Sequence, residues 1–515
     1  MSIELLASRT GGRTSTALRE DGVTVELRVE DDRSGLAVGD IVRARVSKVL
    51  PGIQSAFLDA GQERSAFLHV TDLLLPGEAP PADDLRVGAG DETGEGLFGA
   101  TELPVIDRPA RSALAGPPIQ DRLKEGRELV VQVAREALGG KGPRVTCFIT
   151  LPGRYLVHAP QSPIRGVSRR IQDPVERQRL QAIVAGLPGA SGGFIVRTAG
   201  EGAAASAFEA DARFLMRSWS AIERKIPGTP VPGLAHSDLD LFLRALRDAA
   251  EPSLDRIVVD DARLYEAGLA YLRDLDSPLA ARLERHTAAE SLFDATGVTQ
   301  DIEKALRPRV WLKSGGTIVI EQTEALVSID VNTGKFIGSR QPEHTVLKTN
   351  LEAAEEIARQ LRLRDLGGII VIDFIDMERP DHKRQVLEAQ ERALRRDRSR
   401  TKIVGLSELG LLQLTRKRTR MGLGAALTRA CGACAGSGRV KTPETVAHEA
   451  LSEVRRVVGP FTSGDVTIRT HPEVARALRL ALQTASPFLE GGVLARLRVE
   501  DDAAARSDQF DLSVG

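Results

Sequence analysis

Two aspartates, Asp330 and Asp373, stand at the ends of apolar segments that are typical of β-strands. A hard cation such as Mg²⁺ takes oxygen ligands and uses one or two protein carboxylates together with water and substrate phosphate oxygens. Asn332, one strand pleat beyond Asp330, could hold that carboxylate or an attacking water by hydrogen bond. The sequence therefore indicates a divalent-cation site that acts on a phosphodiester. The alternative is that the aspartates are ordinary turn or helix-capping residues, and spacing alone does not decide between the two.

The segment before Asp330 predicts a β-hairpin. Gly315 and Gly316 open an alternating apolar run, and a second run begins at Ala325 after a short polar turn. Because side chains alternate along a strand, Asp330 and Asn332 share one face. The apolar residues of the same strand share the other face: Val327, Ile329 and Val331.

The segment between the aspartates predicts a helix followed by a strand. Apolar residues recur at spacings of three and four from Leu347 to Leu361, which indicates a helix with one apolar side. The run from Ile369 to Ile372 has no polar face, and it predicts a strand buried on both faces. If that strand continues, Asp376 points away from Asp373.

The positive charge of the chain is concentrated in patches, although the formal net charge over 515 residues is only −1. Nucleic-acid binding requires such patches, because phosphate affinity depends on local cations. One basic run extends from Arg392 to Lys402 and includes Arg400, and a second extends from Arg416 to Arg420. A charge run is usually a solvated helix face. The position of these runs after Asp373 equally supports contact with phosphates.

Residues 38–70 predict a small barrel of short, curved strands with glycine-rich turns, of the OB type. Arg43 and Arg45 lie on one face of its first strand. Phe57 and Phe67 fall in two successive strands of a chain with only 4% aromatic residues. Phenylalanines beside basic residues suit base stacking, worth about 1–3 kcal/mol per base. The alternative is that both rings belong to the barrel core.

Two of the three cysteines, Cys431 and Cys434, form a CxxC motif among glycines. Such a turn brings two thiolates to one tetrahedral zinc ion. Either a distant residue such as His448 completes the site, or the same motif of a second subunit does so across a two-fold axis. A thioredoxin-like role is disfavoured because no strand precedes the motif.

Composition excludes several classes of protein. Three cysteines do not make a disulfide framework, and a reducing cytoplasm is the simplest setting. The N-terminus lacks a signal-peptide core, and no run approaches the roughly 20 apolar residues of a membrane span. Residues 76–120 are rich in Gly, Pro, Ala and acid, which predicts a mobile insertion in the barrel with no assigned chemistry.

Several motifs together resemble the catalytic core of the bacterial ribonuclease E/G family, and the resemblance extends over almost the whole chain. They are SIDVNTG at 328–334, RQLRLRDLGGIIVIDFIDM at 359–377 and LTRKRTR at 414–420. The resemblance implies that Asp330 and Asp373 bind Mg²⁺ and that Asn332 supports them. It also implies hydrolytic endonucleolytic cleavage of single-stranded RNA, leaving a 5′-phosphate, in the maturation of ribosomal RNA precursors and the decay of messenger RNA.

The resemblance further implies a pocket that senses the 5′-monophosphate of the RNA. The backbone at Gly153 and Val157 would flank the terminal nucleotide, while Arg169, Arg197 and the hydroxyl of Thr198 would hold the phosphate. A planar guanidinium suits phosphate oxygens well. From sequence alone, an arginine at a strand end is more often simply solvated.

The resemblance also assigns binding surfaces and partners. Four residues are implied to contact RNA: Phe57, Phe67, Arg135 and Lys141. Arg400 is added to them as a predicted RNA contact because of its position in the basic run after Asp373. Cys431 and Cys434 of two protomers would share one Zn²⁺, which implies a homodimer, with a dimer of dimers as a further possibility. No low-complexity tail follows the last domain, so the resemblance implies no degradosome scaffold and no membrane contact.

The implied fold is a multidomain α+β and α/β chain. Its parts are a ribonuclease-H-like subdomain (1–35 and 243–306), an inserted OB-fold RNA-binding domain (36–143), a 5′-sensor (144–242), a DNase-I-like catalytic subdomain (307–428), a zinc-link (429–441) and a small C-terminal α+β domain (442–515). The sequence thus predicts a Mg²⁺-dependent endoribonuclease. The competing hypothesis is a non-catalytic RNA-binding or ribosome-maturation factor that kept the same scaffold.

Overall fold

The structure of the protein is a computed structural model. It describes residues 2–32, 35–75, 86–87, 106–107, 117–137, 142–168, 170–188, 192–249, 253–275, 277–323, 325–333, 342–407, 409–418, 422–434, 436–457, 464–484 and 496–515. These residues fall into two compact units, Met1–Ala426 and Leu427–Gly515. None of the described helices is both long enough and apolar enough to cross a membrane.

The first unit begins with three antiparallel strands, in which alternating apolar residues face the core. They are β1 (Ile3–Thr10), β2 (Arg13–Glu20) and β3 (Val23–Asp31). Tight turns at Gly11–Gly12 and Asp21–Gly22, with positive φ at all four residues, connect these strands. The buried side chains of the strands include Leu5, Leu18 and Val25.

A closed five-stranded barrel follows, and it is OB-like as the sequence predicts. The elements of this segment are β4 (Ile41–Leu50), β5 (Ser55–Asp59), β6 (Ala66–His69), β7 (Arg86–Val87), β8 (Ile106–Asp107), α1 (Ile119–Arg122), β9 (Glu128–Arg135) and β10 (Arg144–Thr146). The barrel closes because β4 pairs with both β5 and β9, and β6 and β10 complete the circle. The predicted insertion lies largely outside the described residues, which there include the paired strands β7 and β8.

The next segment forms a smaller sheet with helices. Its elements are β11 (Leu151–Pro152), β12 (Leu156–Ala159), β13 (Arg165–Val167), α2 (Pro174–Gly186), β14 (Gly193–Val196), α3 (Ala205–Lys225), β15 (Gly233–His236) and α4 (Leu241–Ala249). The strand order is β11-β12-β14-β13, and β15 pairs with β4 of the barrel. Helices α2 and α3 pack their apolar sides on this sheet, because both contribute buried residues to its core.

Residues 254–305 return to the first sheet. Their elements are β16 (Leu254–Val259), α5 (Ala262–Asp274), β17 (Leu283–Arg285), α6 (Leu292–Ala295) and α7 (Val298–Ala305). Strand β16 pairs in parallel with β1, which gives a five-stranded sheet in the order β17-β16-β1-β2-β3. Short 3₁₀ helices elsewhere in the unit cover Pro51–Ile53, Val70–Asp72, Thr198–Gly200, Ile226–Gly228 and Pro278–Arg282.

A six-stranded sheet carries the two aspartates. Its elements are β18 (Arg309–Trp311), β19 (Thr317–Gln322), β20 (Leu326–Asn332), α8 (Pro342–Leu363), β21 (Gly368–Asp373), α9 (Pro380–Leu394), β22 (Thr401–Leu406), β23 (Leu411–Arg416) and α10 (Leu423–Leu427). The strand order is β18-β19-β20-β21-β23-β22, with β20 and β21 parallel. The sequence correctly predicts the hairpin, the helix and the following strand.

The prediction that the strand after the helix is buried on both faces is wrong. In β21 only Ile370 and Ile372 point into the core, and Ile369 is 50% exposed. The core lies between the sheet and the apolar sides of α8 and α9, while the opposite face of the sheet is exposed at both aspartates. The apolar run misled the prediction because β-branched residues favour the strand conformation itself. They therefore occur in this strand even on the face that is exposed to solvent.

The second unit is a small α+β domain. Its elements are α11 (Pro443–Val457), β24 (Val466–Thr470), α12 (Pro472–Thr484), β25 (Leu497–Asp501) and β26 (Phe510–Val514). The strand order is β25-β24-β26. Buried residues from α11, α12 and β24 form its core.

Candidate functional site

The two aspartates lie side by side on the exposed face of the six-stranded sheet. Asp330 in β20 and Asp373 in β21 are direct register partners at the same end of two parallel strands. Neighbouring strands are about 4.8 Å apart, so the two carboxylates can bind one cation. The alternation predicted for β20 is confirmed, because Val327, Ile329 and Val331 are all buried and Asp330 is exposed.

Asn332 bonds the carboxylate of Asp330 directly. Its Nδ2 donates a hydrogen bond of 2.6 Å to Oδ2 of Asp330. This contact holds one oxygen of the carboxylate in place. The backbone carbonyl of Asn332 in turn requires a glycine opposite, because a Cβ at Gly316 would lie 2.9 Å from that oxygen.

The charges around Asp373 favour a bound cation. Partial desolvation, together with the negative charges of Asp330 and Asp376, raises the pKa of Asp373. Like charges held together in this way are relieved when a cation binds between them. The described residues contain no cluster of three or more His, Cys, Asp or Glu side chains that could hold a metal ion. The donor set that the pair itself offers, two carboxylates, fits a divalent cation that completes its shell with water and phosphate oxygens.

Asp376 is closer to this centre than the sequence suggests. The prediction that it points away from Asp373 requires the strand to continue, but β21 ends at Asp373. The side chain of Asn350, buried in α8, holds the segment that follows. Its Nδ2 donates to the carbonyl of Ile375 at 2.8 Å, and its Oδ1 accepts from the Ile375 N–H at 3.1 Å. Sequence reasoning missed Asn350, although its position could have revealed it. It lies three residues after Leu347, so it is a polar residue on the apolar side of the predicted helix.

The two phenylalanines lie on the outer surface of the barrel, so the alternative that they are core residues is wrong. Phe57 and Phe67 are half-buried register partners, with ring centroids 6.0 Å apart and an interplanar angle of 67°. Their strand neighbours fill the core instead: Ala56, Leu58, Ala66 and Leu68. The rings therefore form an accessible aromatic pair.

Basic residues extend this pair in both directions along one register row. Lys48 is the partner of Phe57, and Arg144 is the partner of both Phe67 and Arg135. The row from Lys48 to Arg135 thus places two phenylalanines between cations, an arrangement suited to single-stranded nucleic acid. Sequence reasoning missed Lys48 because a register shift lies between Val46 and Lys48. It missed Arg144 because only barrel closure brings that residue beside Phe67.

Several basic residues of the barrel are already paired, including Arg144 of that row, whose guanidinium forms a 2.7 Å ion pair with Asp72 and stays partly exposed. Arg43 and Arg45 both contact the carboxylate of Glu128, at 2.9 and 3.1 Å, and Arg43 also donates to the carbonyl of Thr229. They are less available to phosphates than the sequence suggests. Lys141, which the sequence assigns to the same surface, lies outside the described residues.

The residues predicted to sense a 5′-phosphate are partly tied into the protein interior. Arg197, whose side chain is 13% exposed, donates to the carbonyl of Gly153 and forms a 3.4 Å ion pair with Asp248. Burial favours the neutral form of Asp248, but Arg247 and Arg197 outweigh it and hold the pKa of that carboxyl well below its usual range. Thr198 is exposed, and its hydroxyl lies 3.4 Å from that of Ser168. Arg169 lies outside the described residues.

A buried carboxylate shapes the loop beside Arg197. Asp211 of α3 accepts hydrogen bonds from the backbone N–H groups of Arg154, Tyr155 and Leu156, at 3.2, 2.8 and 2.9 Å. A Cβ at Gly153 would lie 2.5 Å from Asp211, so only glycine fits there. Val157 follows in β12, where its side chain is buried and its neighbours pair on both sides.

The basic runs divide into buried and exposed members. Arg416, predicted to contribute to RNA contact, is instead 4% exposed and bonds Asp397 at 2.6 Å, Asp365 at 2.8 Å and the carbonyl of Leu366 at 2.8 Å. The physical reason is strand alternation, which turns this side chain inward at the end of β23. Arg400 remains exposed, and no described carboxylate pairs with it. Arg420 lies outside the described residues.

Arg396 and Arg398 face acidic residues of the first sheet. Arg396 lies 3.8 Å from Glu20. Burial alone would raise the pKa of Glu26, but Arg28, Arg398 and Arg362 outweigh it and lower the pKa to about 2. These arginines therefore join the sheet of β18–β23 to that of β1–β3, and part of the basic run is structural.

The CxxC motif presents its thiols at the surface of the second unit. Cys431 is exposed and Cys434 is half-buried. Hydrogen bonds from the backbone of Cys434 and Ala433, from the thiol of Cys434, and the nearby charge of Arg506 lower the pKa of Cys431. Nη2 of Arg506 also donates to the carbonyl of Ala433 at 2.7 Å. Within the part of the chain that the structure describes, neither His448 nor another ligand joins the two thiols in a metal site.

Comparisons with known proteins match most of the chain to a single family. A model of the ribonuclease E/G family matches residues 150–419. Ribonuclease G of Escherichia coli strain K12 is 39% identical over 512 residues, which cover 99% of each chain. Ribonuclease G of Haemophilus influenzae is 37% identical over 514 residues, which cover 100% of this chain and 99% of that protein. Ribonuclease E of a Nostoc species is 39% identical over 431 residues, 83% of this chain and 58% of that protein.

Proposed function

Because this chain belongs to the ribonuclease E/G family, we propose that it is an endoribonuclease, a hydrolase that cleaves phosphodiester bonds within RNA. The observation that carries the proposal is the register pairing of Asp330 with Asp373 on an open sheet face, with Asn332 bonded to Asp330. Its substrates are single-stranded regions of ribosomal RNA precursors and messenger RNA, in the cytoplasm. Among the described residues no cationic side chain neutralises these two carboxylates, and the competing hypothesis, a non-catalytic RNA-binding factor, gives no reason to hold them together.

The described residues prepare the reaction in three ways. Asp330 and Asp373 would hold a divalent cation, Mg²⁺ in our proposal, which supplies a polarised phosphoryl oxygen and a water of lowered pKa when bound. Asn332 keeps the carboxylate of Asp330 in one orientation. Asn350 holds the backbone that follows Asp373, so that the two carboxylates keep their relative position without reorganisation during the reaction.

The barrel surface delivers the RNA strand. Bases stack on Phe57 and Phe67, while Lys48, Arg144 and Arg135 lie along the same row and attract phosphates. Arg400, exposed in the unit that carries the carboxylates, provides a further phosphate contact. Binding energy from these remote contacts positions the scissile bond rather than acting on it directly.

The proposed function is tested by incubating the wild-type protein with a short, 5′-monophosphorylated single-stranded RNA in the presence and absence of Mg²⁺. We expect internal cleavage that depends on the cation, that EDTA stops, and that leaves a 5′-phosphate on the downstream fragment. Binding of the RNA with no cleavage under varied metal and salt conditions would favour the non-catalytic factor.

We propose that Arg197 and Thr198, together with Arg169 and the backbone at Gly153 and Val157, hold the 5′-monophosphate of the RNA. Arg197→Ala is therefore expected to slow cleavage of 5′-monophosphorylated RNA about ten- to a hundredfold more than that of 5′-hydroxyl RNA, because a charged hydrogen bond contributes about 1.5–3 kcal/mol. Cleavage rates of the two RNAs, compared within each variant, measure the effect.

Arg197 also bonds Gly153 and Asp248, so the design needs controls for folding. Arg197→Lys keeps the charge, and Thr198→Val removes an exposed hydroxyl whose one contact within the described part of the chain is the 3.4 Å approach to Ser168. The thermal unfolding temperature of each variant shows whether slower cleavage comes from loss of the phosphate contact or from loss of the folded structure. Equal slowing of both RNAs by Arg197→Ala would show that the residue is only structural.

We propose that the exposed CxxC motif binds zinc together with the same motif of a second protomer. Because the CxxC motif of one chain offers only two thiols, and the third cysteine, Cys147, is buried in the first unit, we expect about half a zinc ion per chain and a homodimer in solution, with a dimer of dimers as the larger alternative. Cys431→Ser is expected to remove the zinc and reduce the molar mass. Metal analysis and light scattering measure both quantities, and one full ion per chain would contradict a shared site.

A further inference from the structure

The exposed face of the six-stranded sheet carries a tryptophan that the proposed mechanism does not use. Trp311, in the edge strand β18, is 70% exposed, whereas Trp219, the other tryptophan of the chain, is 7% exposed. A large exposed aromatic ring is uncommon enough to require an explanation, although a single exposed apolar residue is not by itself a site.

The register of the sheet places Trp311 in line with the catalytic side chains. Trp311 pairs with Thr317, which pairs with Asn332. Arg309, two residues earlier, starts a second row that runs through Val319 to Asp330 and then to Asp373. Directly paired residues of a sheet share a face, so Arg309 and Trp311 lie on the face of the two carboxylates. Strand β18 lies two strand spacings, about 10 Å, from β20.

Both side chains are free to receive a ligand. Arg309 is exposed, and no carboxylate among the described residues pairs with it. Likewise, no described residue makes a ring contact with Trp311 or a hydrogen bond to its indole N–H. An unpaired guanidinium next to an exposed ring, in line with a phosphodiester-cleaving centre, is the arrangement that binds one nucleotide by stacking and by a phosphate contact.

The strand that carries the pair is firmly held. Val310, which lies between the two exposed residues, packs against the core, and Leu312, which follows them, is buried in it. The turn that follows is fixed by Glu352 of α8, whose carboxylate accepts the backbone N–H groups of Lys313 at 2.5 Å and Ser314 at 3.0 Å. A rigid strand presents Arg309 and Trp311 so that only their side chains, and not the backbone, must be ordered when RNA binds.

We propose that Arg309 and Trp311 form a nucleotide subsite for single-stranded RNA beside the scissile bond. The indole stacks on one base within one or two nucleotides of the cleaved phosphodiester, and the guanidinium of Arg309 donates to a neighbouring phosphate. The inference rests on the proposed function, because it names how the same site holds its substrate. If Arg309 and Trp311 hold a nucleotide in this way, β18 helps to determine which phosphodiester bond of the RNA is cleaved.

Intrinsic fluorescence tests the stacking without any cleavage. A ten-nucleotide single-stranded RNA is titrated in EDTA into the wild type, Trp311→Phe and Trp219→Phe. We expect the RNA to quench the wild type and Trp219→Phe, and to leave the signal of Trp311→Phe nearly unchanged, because stacking brings a base onto the exposed indole alone. Equal quenching in Trp311→Phe, or none in the wild type, would overturn the proposal.

Cleavage of RNAs with a single abasic nucleotide locates the stacked base. In the wild type, we expect one position next to the cut to lower kcat/KM about fivefold to a hundredfold. Trp311→Ala should lower kcat/KM on intact RNA by a similar factor. In this variant the abasic nucleotide at that position should cause no further loss of kcat/KM. Trp311→Phe should retain most of the activity. Unchanged kcat/KM and an unchanged abasic profile in Trp311→Ala would contradict the subsite.

Arg309→Gln tests the phosphate contact. We expect weaker RNA binding and a salt dependence shallower by about 0.7 in log–log slope, the value for one contact to a single strand. Arg263→Gln, at an exposed arginine of α5, serves as the matched control and should change neither quantity. An Arg309→Gln slope equal to that of the control would remove Arg309 from the subsite.

Two other outcomes are distinguishable. If the wild type cuts no RNA, the proposed function fails, whereas the fluorescence titration still decides whether Trp311 meets a base. If Trp311→Ala lowers the molar mass in light scattering and leaves the abasic profile unchanged, the face is an interface between subunits and the nucleotide subsite is excluded.

Discussion

Asp330→Asn and Asp373→Asn are each expected to lower the rate of RNA cleavage about a thousandfold or more while RNA binding is retained. The two carboxylates are register partners on an open face, and each variant removes one charge from the pair without changing its size. Metal-ion catalysis contributes several kcal/mol, and each 1.36 kcal/mol corresponds to about a tenfold change in rate. Single-turnover cleavage with saturating protein, together with a binding assay in EDTA, measures the two quantities separately.

Two neighbouring positions serve as graded controls for this prediction. Asn332→Ala removes the 2.6 Å hydrogen bond to Asp330 and leaves both charges, so we expect a smaller loss of rate. Asp376→Asn removes a negative charge that acts on Asp373 but does not belong to the register pair. A change in the Mg²⁺ concentration needed for cleavage would show that this third carboxylate contributes to binding the cation. If Asp330→Asn and Asp373→Asn both cleave RNA at the wild-type rate, the cation site lies elsewhere.

Arg416→Ala is expected to lower the free energy of unfolding by about 3–5 kcal/mol, the usual cost of removing one partner of a buried ion pair. Arg416 lies between Asp397 and Asp365, and the side chain of Asp397 is as deeply buried as that of Arg416. Its removal leaves two acidic groups with no cation and the carbonyl of Leu366 without its donor. Urea or thermal unfolding measures the change.

Arg400→Ala provides the matched comparison, because this exposed arginine is a predicted RNA contact of the same unit. We expect its stability to change by less than about 0.5 kcal/mol, since no buried interaction is lost, while its RNA affinity falls and becomes less sensitive to salt. The double variant Arg416→Met with Asp397→Leu should recover part of the stability that Arg416→Ala loses, because apolar side chains replace the buried pair. An Arg416→Ala protein with wild-type stability and weakened RNA binding would reverse the roles assigned to the two arginines.

Local patterns predicted the elements that carry the centre. Alternation in β20 placed Asp330 and Asn332 opposite the buried valines and isoleucine, and spacings of three and four marked α8. Such patterns are reliable because the backbone geometry of a strand or helix alone decides which side chains share a face. The match of the motifs to a family, which the comparisons confirm, then supplied the chemistry that spacing left open.

Residues whose role depends on register or closure were missed or misassigned. Lys48 and Arg144 join the phenylalanine row only through a register shift and the closing of the barrel. Asp376 approaches Asp373 because β21 ends at Asp373, three residues before Asp376, and does not continue as a strand. Arg416 carries the same charge as Arg400, yet one is buried in ion pairs and the other meets solvent.

The sequence by itself determined the family, the order of strands and helices, and the side of β20 on which the candidate ligands lie, because these depend on interactions within a few residues of one another. Tertiary structure alone decided which strands became neighbours, which face of the six-stranded sheet stayed open and which arginines were neutralised inside. Those outcomes depend on pairing between segments far apart in the chain. They brought Asp330, Asp373, Arg309 and Trp311 onto one surface.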